Sequence, residues 1–319
     1  MHLPPRAPSG AGALEITLPA TSANLGPAFD AAALAFGLYL RVTARAAREF
    51  SVEARGRDAH ICGRLEKHLI LTTYREVLQA ERKPIHPLTL RINNEMPIGK
   101  GCGSSAAARL AGIGLAVCFG GLGWDDAHII GEASCREHHP DNAAACWMGG
   151  LAVARMATRA EAQVVKLTPK EKWRLLFVVP DEPLSTEEAR VVLPAQYSRH
   201  DAVMNVQNSM LLLAALMQGK GDILSAALQD RIHQPYRAPL CPLLPKIEQL
   251  AGKYGVLGAA LSGAGPSVLV FIDPKSSADR VKARVLQHLR SHGLDAELIA
   301  TSIAERGARD RIAWKKVSS

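Results

Sequence analysis

The stretch "PIGKGCGSSAAARL", residues 97–110, sets glycines and small hydroxyls directly ahead of an alanine-rich apolar run. A helix that starts here leaves its first N–H groups without intrahelical partners and carries the positive end of its dipole, and glycines let a guest approach that backbone closely. Phosphate is the guest such an arrangement suits. A loop that merely caps a buried helix through Ser104 or Ser105 is the other reading, and the remainder of the chain has to choose.

Upstream, "LTLRINNEMP" (88–97) alternates as a half-buried strand and stops at Pro97. Downstream, "SSAAARLAGIGLAVCFGG" (104–121) is apolar nearly all round, as expected of a helix buried within a domain. The loop therefore joins strand to helix. It is not a Walker loop, because Lys100 precedes Gly101 and no hydroxyl follows the lysine. Gly101, Gly103 and Ala106 fit a dinucleotide fingerprint in spacing, but "NNEMPIGK" is not the buried apolar strand which that motif requires upstream.

Further out, "LEITLPATSANLG" (14–26) begins as a strand and breaks into a polar loop, and residues 31–46 and 50–56 offer further strand-like runs. Residues 66–82 have helical spacing through Leu69, Thr73, Val77 and Leu78, and 125–139 read as a helix capped by Asp125. Polar breaks place a domain boundary near residues 160–170. Beyond it, 203–219, 246–255 and 277–293 read as helices, and "GAALSGAGPSVLVFID" (258–273) as a turn flanked by strands. The pattern is α+β in two layers.

At 319 residues and 48% hydrophobic content the chain can bury a sizeable core, and its length favours two domains. The opening 13 residues hold prolines and glycines without an apolar segment, so they read as a disordered tail rather than a secretory signal. The run "AAALAFGLYL" is too short to span a bilayer, and six cysteines scattered without a CxxC pair are expected to be reduced thiols; both point to a cytoplasmic protein that has no membrane partner. A net charge of +8 favours an anionic partner. Dispersed basic residues and only 5% aromatics argue against nucleic acid as that partner. "CREHHPD" holds Cys135, His138, His139 and Asp141 close enough to ligate zinc, but supplies no second half for such a site.

The loop resembles the central motif of the GHMP kinase family, P-x-x-x-G-x-G-S-S-A, through Pro97, Gly101, Gly103, Ser104, Ser105 and Ala106. That family's other two motifs have counterparts in "PATSANLGPAFD" (19–30) and "GAALSGAGPSVLVF" (258–271). "HHPDNAAACWMGG", "LSTEEARVVLP" and "DRIHQPYRAPL" are similar to segments of its homoserine-phosphorylating members, and the resemblance covers about residues 14–305. It implies a two-domain fold, with an N-terminal nucleotide-binding domain (14–165) and a C-terminal ferredoxin-like α/β sandwich (166–319). The implied activity is transfer of phosphoryl from ATP, with Mg²⁺, to the hydroxyl of L-homoserine in threonine biosynthesis. A homodimer is a further expectation from the family. Other acceptors (threonine, mevalonate, a sugar) and a non-catalytic ATP-binding protein stand as alternatives.

The resemblance also assigns residues. Pro97, Gly99, Lys100, Gly101, Cys102, Gly103, Ser104, Ser105 and Ala106 are expected at the ATP phosphates, with Ser105 and Glu132 holding Mg²⁺ as hard oxygen ligands. Arg190 and Arg237 are expected to grip the substrate carboxylate, Asp30 its ammonium at the opposite end of the site, with Asn24, Thr186 and Gly263 nearby. Asn142 orients the acceptor hydroxyl; it cannot take a proton, so no residue is assigned as base. The chain departs from the family at Ala28 (usually glycine), Cys102 (usually leucine), His68 (often asparagine) and an alanine replacing proline in "DNAAACWMGG".

Overall fold

The computed structural model describes residues 12–316 and places its strands in two sheets. The first sheet takes β1 (Gly12–Ala23), β2 (Ala32–Ala46), β3 (Ser51–Gly56), β4 (Leu88–Asn94), β5 (Leu151–Met156) and β6 (Ala162–Leu167). The second takes β7 (Arg174–Val179), β8 (Val256–Leu261), β9 (Val268–Ile272) and β10 (Glu297–Ser302). The chain then returns to the first sheet, where β11 (Ile312–Lys316) pairs antiparallel with β1.

The first sheet runs β11-β1-β2-β4-β3, with β5 on β2 and β6 on β5; every pairing is antiparallel except β3 with β4. Its register slips between Pro19 and Ala20, where Pro19, lacking an N–H, cannot hold a regular ladder. This bulge re-aims the end of β1, residues 20–23, toward the loop that opened the sequence reading. Behind the sheet the helix Ser104–Gly120 is buried on nearly every side, as its uniform apolarity predicts, and helix Leu69–Ala80 seats against it through Ile70, Tyr74, Val77 and Leu78. Gly112 permits that seating: a Cβ there would lie 2.5 Å from the Ile70 carbonyl oxygen.

The second sheet is ordered β10-β7-β9-β8 and wholly antiparallel. Helical segments connect β7 to β8, and helix Ala278–Ser291 connects β9 to β10, giving the βαββαβ order of a ferredoxin-like sandwich. Strand β7 shows why both of its faces are apolar. Leu175 and Phe177 join the core under the first sheet, where the Phe177 ring lies 5.0 Å from that of Phe36, whereas Leu176 and Val178 face the cluster that also holds Val281, Val285 and Leu289. Each fully buried aliphatic side chain of this kind contributes about 1.5–3 kcal/mol.

Several expectations shift. Residues 12 and 13 open β1, and the rest of the expected tail lies outside the described residues. The segment 312–316, placed by sequence in the second domain, lies on the first sheet, and β6 carries that sheet to Leu167. The helix expected over 246–255 is Leu243–Glu248; Gly252 and Gly255, both at positive φ, shape the turns that follow. No helix among the described residues is long and apolar enough to cross a membrane.

Candidate active site

A cleft of about 500 Å³ lies where the two sheets' loops meet. One wall is the loop of residues 97–103. Gly99, Gly101 and Gly103 all have positive φ, and Gly103 is the helix N-cap, so Ser104 begins the helix and does not cap it. The hydrogen bond from Ala107 N to the Gly103 carbonyl (3.0 Å) is the first of the helix, so the amides of Ser104, Ser105 and Ala106 have no intrahelical acceptor at the positive end of a 17-residue dipole. Thr21 N donates to the Cys102 carbonyl (3.0 Å) and Ser262 Oγ to the Gly101 carbonyl (2.6 Å), so both sheets clamp the loop. A Cβ on Gly101 would press on the Ser262 carbonyl and lie 2.7 Å from that of Gly265. Cys102 turns inward, its buried thiol donating to the Pro97 carbonyl (3.1 Å) and pushed up by desolvation to about 12.

The far wall is charged. Arg190 Nη2 donates to both oxygens of Asp30 (2.9 and 3.1 Å), and Arg237, 1% exposed, reaches the same cleft. Opposite ends of the site had been expected to hold these charges; they lie side by side. An α-amino acid carries its ammonium and carboxylate on one carbon, so an adjacent anion and cation are the complementary arrangement. Burial raises the pKa of Asp30, against the lowering effect of Arg190. Burial, joined by the like charge of Arg190, pulls Arg237 down to about 10, so it stays cationic at neutral pH.

Between the walls sits Asn142. Thr21 Oγ1 donates to its Oδ1 (2.6 Å), which leaves the amide NH₂ for a guest. Its neighbour Asp141 is 1% exposed and accepts from Asn142 N (2.6 Å) and His139 Nδ1 (2.8 Å); the other oxygen, Oδ2, has no partner among the described residues. Ligand atoms of Asp30, His139 and Asp141 lie within 4.8 Å of one another, an anionic corner beside Arg190. Burial works against protonation of His139, but the hydrogen bond and charge of Asp141 outweigh it and raise its pKa.

Of the residues assigned from sequence, Gly99, Gly101, Cys102, Gly103, Ser104, Ser105, Asn24, Asp30, Asn142, Thr186, Arg190, Arg237 and Gly263 line the cleft. Pro97, Lys100 and Ala106 do not line it. The Lys100 ammonium donates to the carbonyls of Pro180 (2.9 Å) and Asp181, tying the loop to the end of β7. Glu132 is absent from the lining too, its carboxylate pairing with Arg136 one helical turn on. The carboxylate beside Ser105 is that of Glu137, which accepts from Ser105 Oγ (2.7 Å) and Arg109 Nε (2.5 Å). Asn24 ties its loop to the one after β8: Nδ2 donates to the Gly263 carbonyl (2.8 Å) and Oδ1 accepts from Asp30 N (2.9 Å), which helps to hold Asp30 in its left-handed conformation. Of the zinc candidates, His139 and Asp141 come together, joined by Asp30, and Cys135 and His138 stand outside the group.

Sequence reading missed Thr21, buried behind Asn142, and, in the lining, Glu137 and an apolar wall of Ile61, Ile92, Met96 and Ile98 beside His68. Thr21 sits inside a quoted motif, so position offered a signal. The wall comes from three separate segments and offered none.

A helix-start anion cradle facing paired charges across one cleft, on these two sheets, defines a class: small-molecule kinases. Residues 68–150 match the sequence model for the GHMP kinases N terminal domain, and 212–291 that for GHMP kinases C terminal. The chain belongs to the GHMP kinase family. Its place there is among the homoserine kinases: it is 44% identical over 292 residues to the homoserine kinase of Solibacter usitatus, covering 92% of this chain and 95% of that one. With the homoserine kinase of a Synechococcus it shares 35% identity, over 93% of this chain and 97% of the relative. In fold it matches the crystal structure of homoserine kinase from Cytophaga hutchinsonii with a TM-score of 0.79 at 23% identity (95% and 97% coverage), and L. major mevalonate kinase with 0.66 at 16% (97% and 100%).

Proposed function

We propose that this cleft lays the phosphates of ATP on the helix start at Ser104 and Ser105 and holds L-homoserine by Asp30, Arg190 and Arg237, so that Asn142 presents the hydroxyl to the γ-phosphorus and O-phospho-L-homoserine forms. The observation that carries the reading is the presence in one cleft of a free helix N-terminus and an anion–cation pair complementary to an amino acid, with the NH₂ of Asn142 between them. Phosphoryl transfer asks the protein chiefly for positioning and charge stabilisation. Amides and dipole supply stabilisation where negative charge spreads over the transferring oxygens. Because the Asn142 Oδ1 is occupied by Thr21, its NH₂ donates to the hydroxyl oxygen and leaves the hydroxyl proton free to pass to an oxygen of the transferring phosphoryl group as ADP leaves. The carboxylates of Asp30 and Asp141 accept the α-ammonium.

Mg²⁺ fits this donor set: Ser105 Oγ and the Glu137 carboxylate are hard oxygens at the phosphate end of the cleft. When bound with ATP it neutralises charge on the phosphate oxygens. Glu137→Gln is expected to cut kcat/KM by about 100-fold and raise the Mg²⁺ concentration for half-maximal rate, with Glu132→Gln within about 5-fold of wild type. The reverse ranking in a Mg²⁺ titration returns the metal to Glu132.

The acceptor reading is tested by ADP release with homoserine, threonine, mevalonate and galactose in parallel. Homoserine is expected to exceed mevalonate and galactose by about 1,000-fold in kcat/KM, since neither presents an α-ammonium and carboxylate to the buried charges. Turnover of mevalonate comparable to that of homoserine excludes the assignment.

A further inference from the structure

The segment "DRIHQPYR" (230–237) delivers Arg237, and its histidine has so far no role. His233 is fully buried just before the short helix Gln234–Arg237. Its Nε2 lies 2.8 Å from the Gly26 carbonyl oxygen, and its Nδ1 lies 3.1 Å from Nη1 of Arg237. A carbonyl only accepts and a guanidinium only donates, so Nε2 must carry the hydrogen and Nδ1 must be a bare lone pair. Both neighbours demand the same neutral tautomer.

The backbone below the ring is equally fixed. Asp230, buried, accepts from the amides of Ile232 (2.9 Å), His233 (2.8 Å) and Gln234 (2.5 Å), and Gln234 Oε1 accepts from Leu261 N (2.7 Å) in β8. The imidazole stacks on Phe29 at 5.2 Å, and the guanidiniums of Arg190 and Arg237 lie 5.6 and 5.4 Å from the same ring. Arg237 further donates from Nε to the Ala189 carbonyl (2.9 Å) and from Nη1 to that of Gly263 (3.4 Å), so Nη2 is the nitrogen left for a ligand.

We propose that His233 is a positioning residue for the substrate carboxylate: locked as the Nε2–H tautomer between Gly26 and Arg237, it accepts from Nη1 and so aims Nη2 of Arg237 into the acceptor end of the cleft. This rests on the reading of Arg237 as the carboxylate's partner. Asp230, Arg237 and Asp141 are the charged groups acting on the ring, and burial dominates among these influences, lowering the imidazole to about pH 4 for half-protonation.

Two substitutions separate the ring's two jobs. Asparagine places an acceptor near the Nδ1 position and keeps the contact to Arg237; glutamine reaches the Nε2 position and donates to Gly26 but offers Arg237 nothing. His233→Gln is expected to raise the homoserine KM by about 20-fold with the ATP KM within about 2-fold, and His233→Asn to recover most of that loss. A merely structural role ranks the two variants by melting temperature and moves both KM values together; that outcome overturns the proposal. In the wild-type enzyme, ¹⁵N chemical shifts are expected to show a neutral Nε2–H ring from pH 5 to 8, and a Nδ1–H ring or an imidazolium at pH 7 also overturns it. Arg237→Lys distinguishes the layers: an unchanged homoserine KM there defeats the carboxylate reading itself, whereas sensitivity at Arg237 with none at His233 defeats only this inference.

Discussion

Gly103→Ala is expected to yield a folded enzyme whose kcat falls by at least about 100-fold. The residue sits at φ +68° at the helix N-cap, and an added Cβ falls far inside van der Waals contact of Thr21 Oγ1 and 3.0 Å from Asn142 Oδ1. It therefore strikes the hydrogen bond that fixes the Asn142 amide while displacing the helix-start amides proposed to meet the phosphates. Misplacement of about 1 Å at such a point costs on the order of 100-fold. Gly121→Ala is the control, because it lies at φ +62° with nothing within 4 Å of the added Cβ. It carries the same left-handed strain, about 1 kcal/mol, without the collision. Equal kcat values for the two variants would mean that the loop does not position the reacting groups.

Arg237→Met is expected to raise the homoserine KM by about 100-fold and to leave the ATP KM within about 3-fold. Methionine keeps much of the apolar stem and removes the charge. Loss of one partner from a buried, hydrogen-bonded charge pair costs about 2–5 kcal/mol, and about 2.7 kcal/mol is a factor of 100. The loss belongs to the complex more than to the free protein. In the unliganded enzyme the Arg237 charge is desolvated beside Arg190, so its removal relieves repulsion even as the carbonyls of Ala189 and Gly263 lose a donor. Isothermal titration of homoserine with a thermal melt of the same sample checks this: affinity is expected to fall far more than stability. A folded variant that binds homoserine normally removes Arg237 from the carboxylate site.

These two expectations differ in how much of their basis the sequence displayed. Gly101 and Gly103 were legible because the requirement for positive φ and close backbone approach is local, written in a few consecutive residues. The buried helix 104–120 was legible from its uniform apolarity, and Asp125 caps the next helix as read, accepting from His128 N at 2.9 Å. Arg190 and Arg237 were placed by resemblance, and the structure brings both to the cleft. Glu137 was not legible. It and Glu132 lie on one helix five residues apart, and only the packing of that helix on 104–120 decides which carboxylate meets Ser105. The direction of the Lys100 side chain was not legible for a related reason: the acceptors that draw it away from the cleft, Pro180 and Asp181, come about 80 residues later.

By itself the sequence determined the local elements: a glycine-rich anion cradle opening a buried helix, strands of period two, and the residue types an amino-acid kinase needs. Their conformations depend on interactions over a few residues, and those interactions repeat wherever the pattern does. The tertiary structure alone decided which side chains meet. It paired Asp30 with Arg190, gave Thr21 to Asn142, locked the tautomer of His233 between Gly26 and Arg237, and returned β11 to the first sheet. Apart from the contact of His233 with Arg237, those meetings join residues 121 to 304 positions apart in sequence, and they are fixed by how two sheets share one core, a property of the packed whole that no short window of sequence carries.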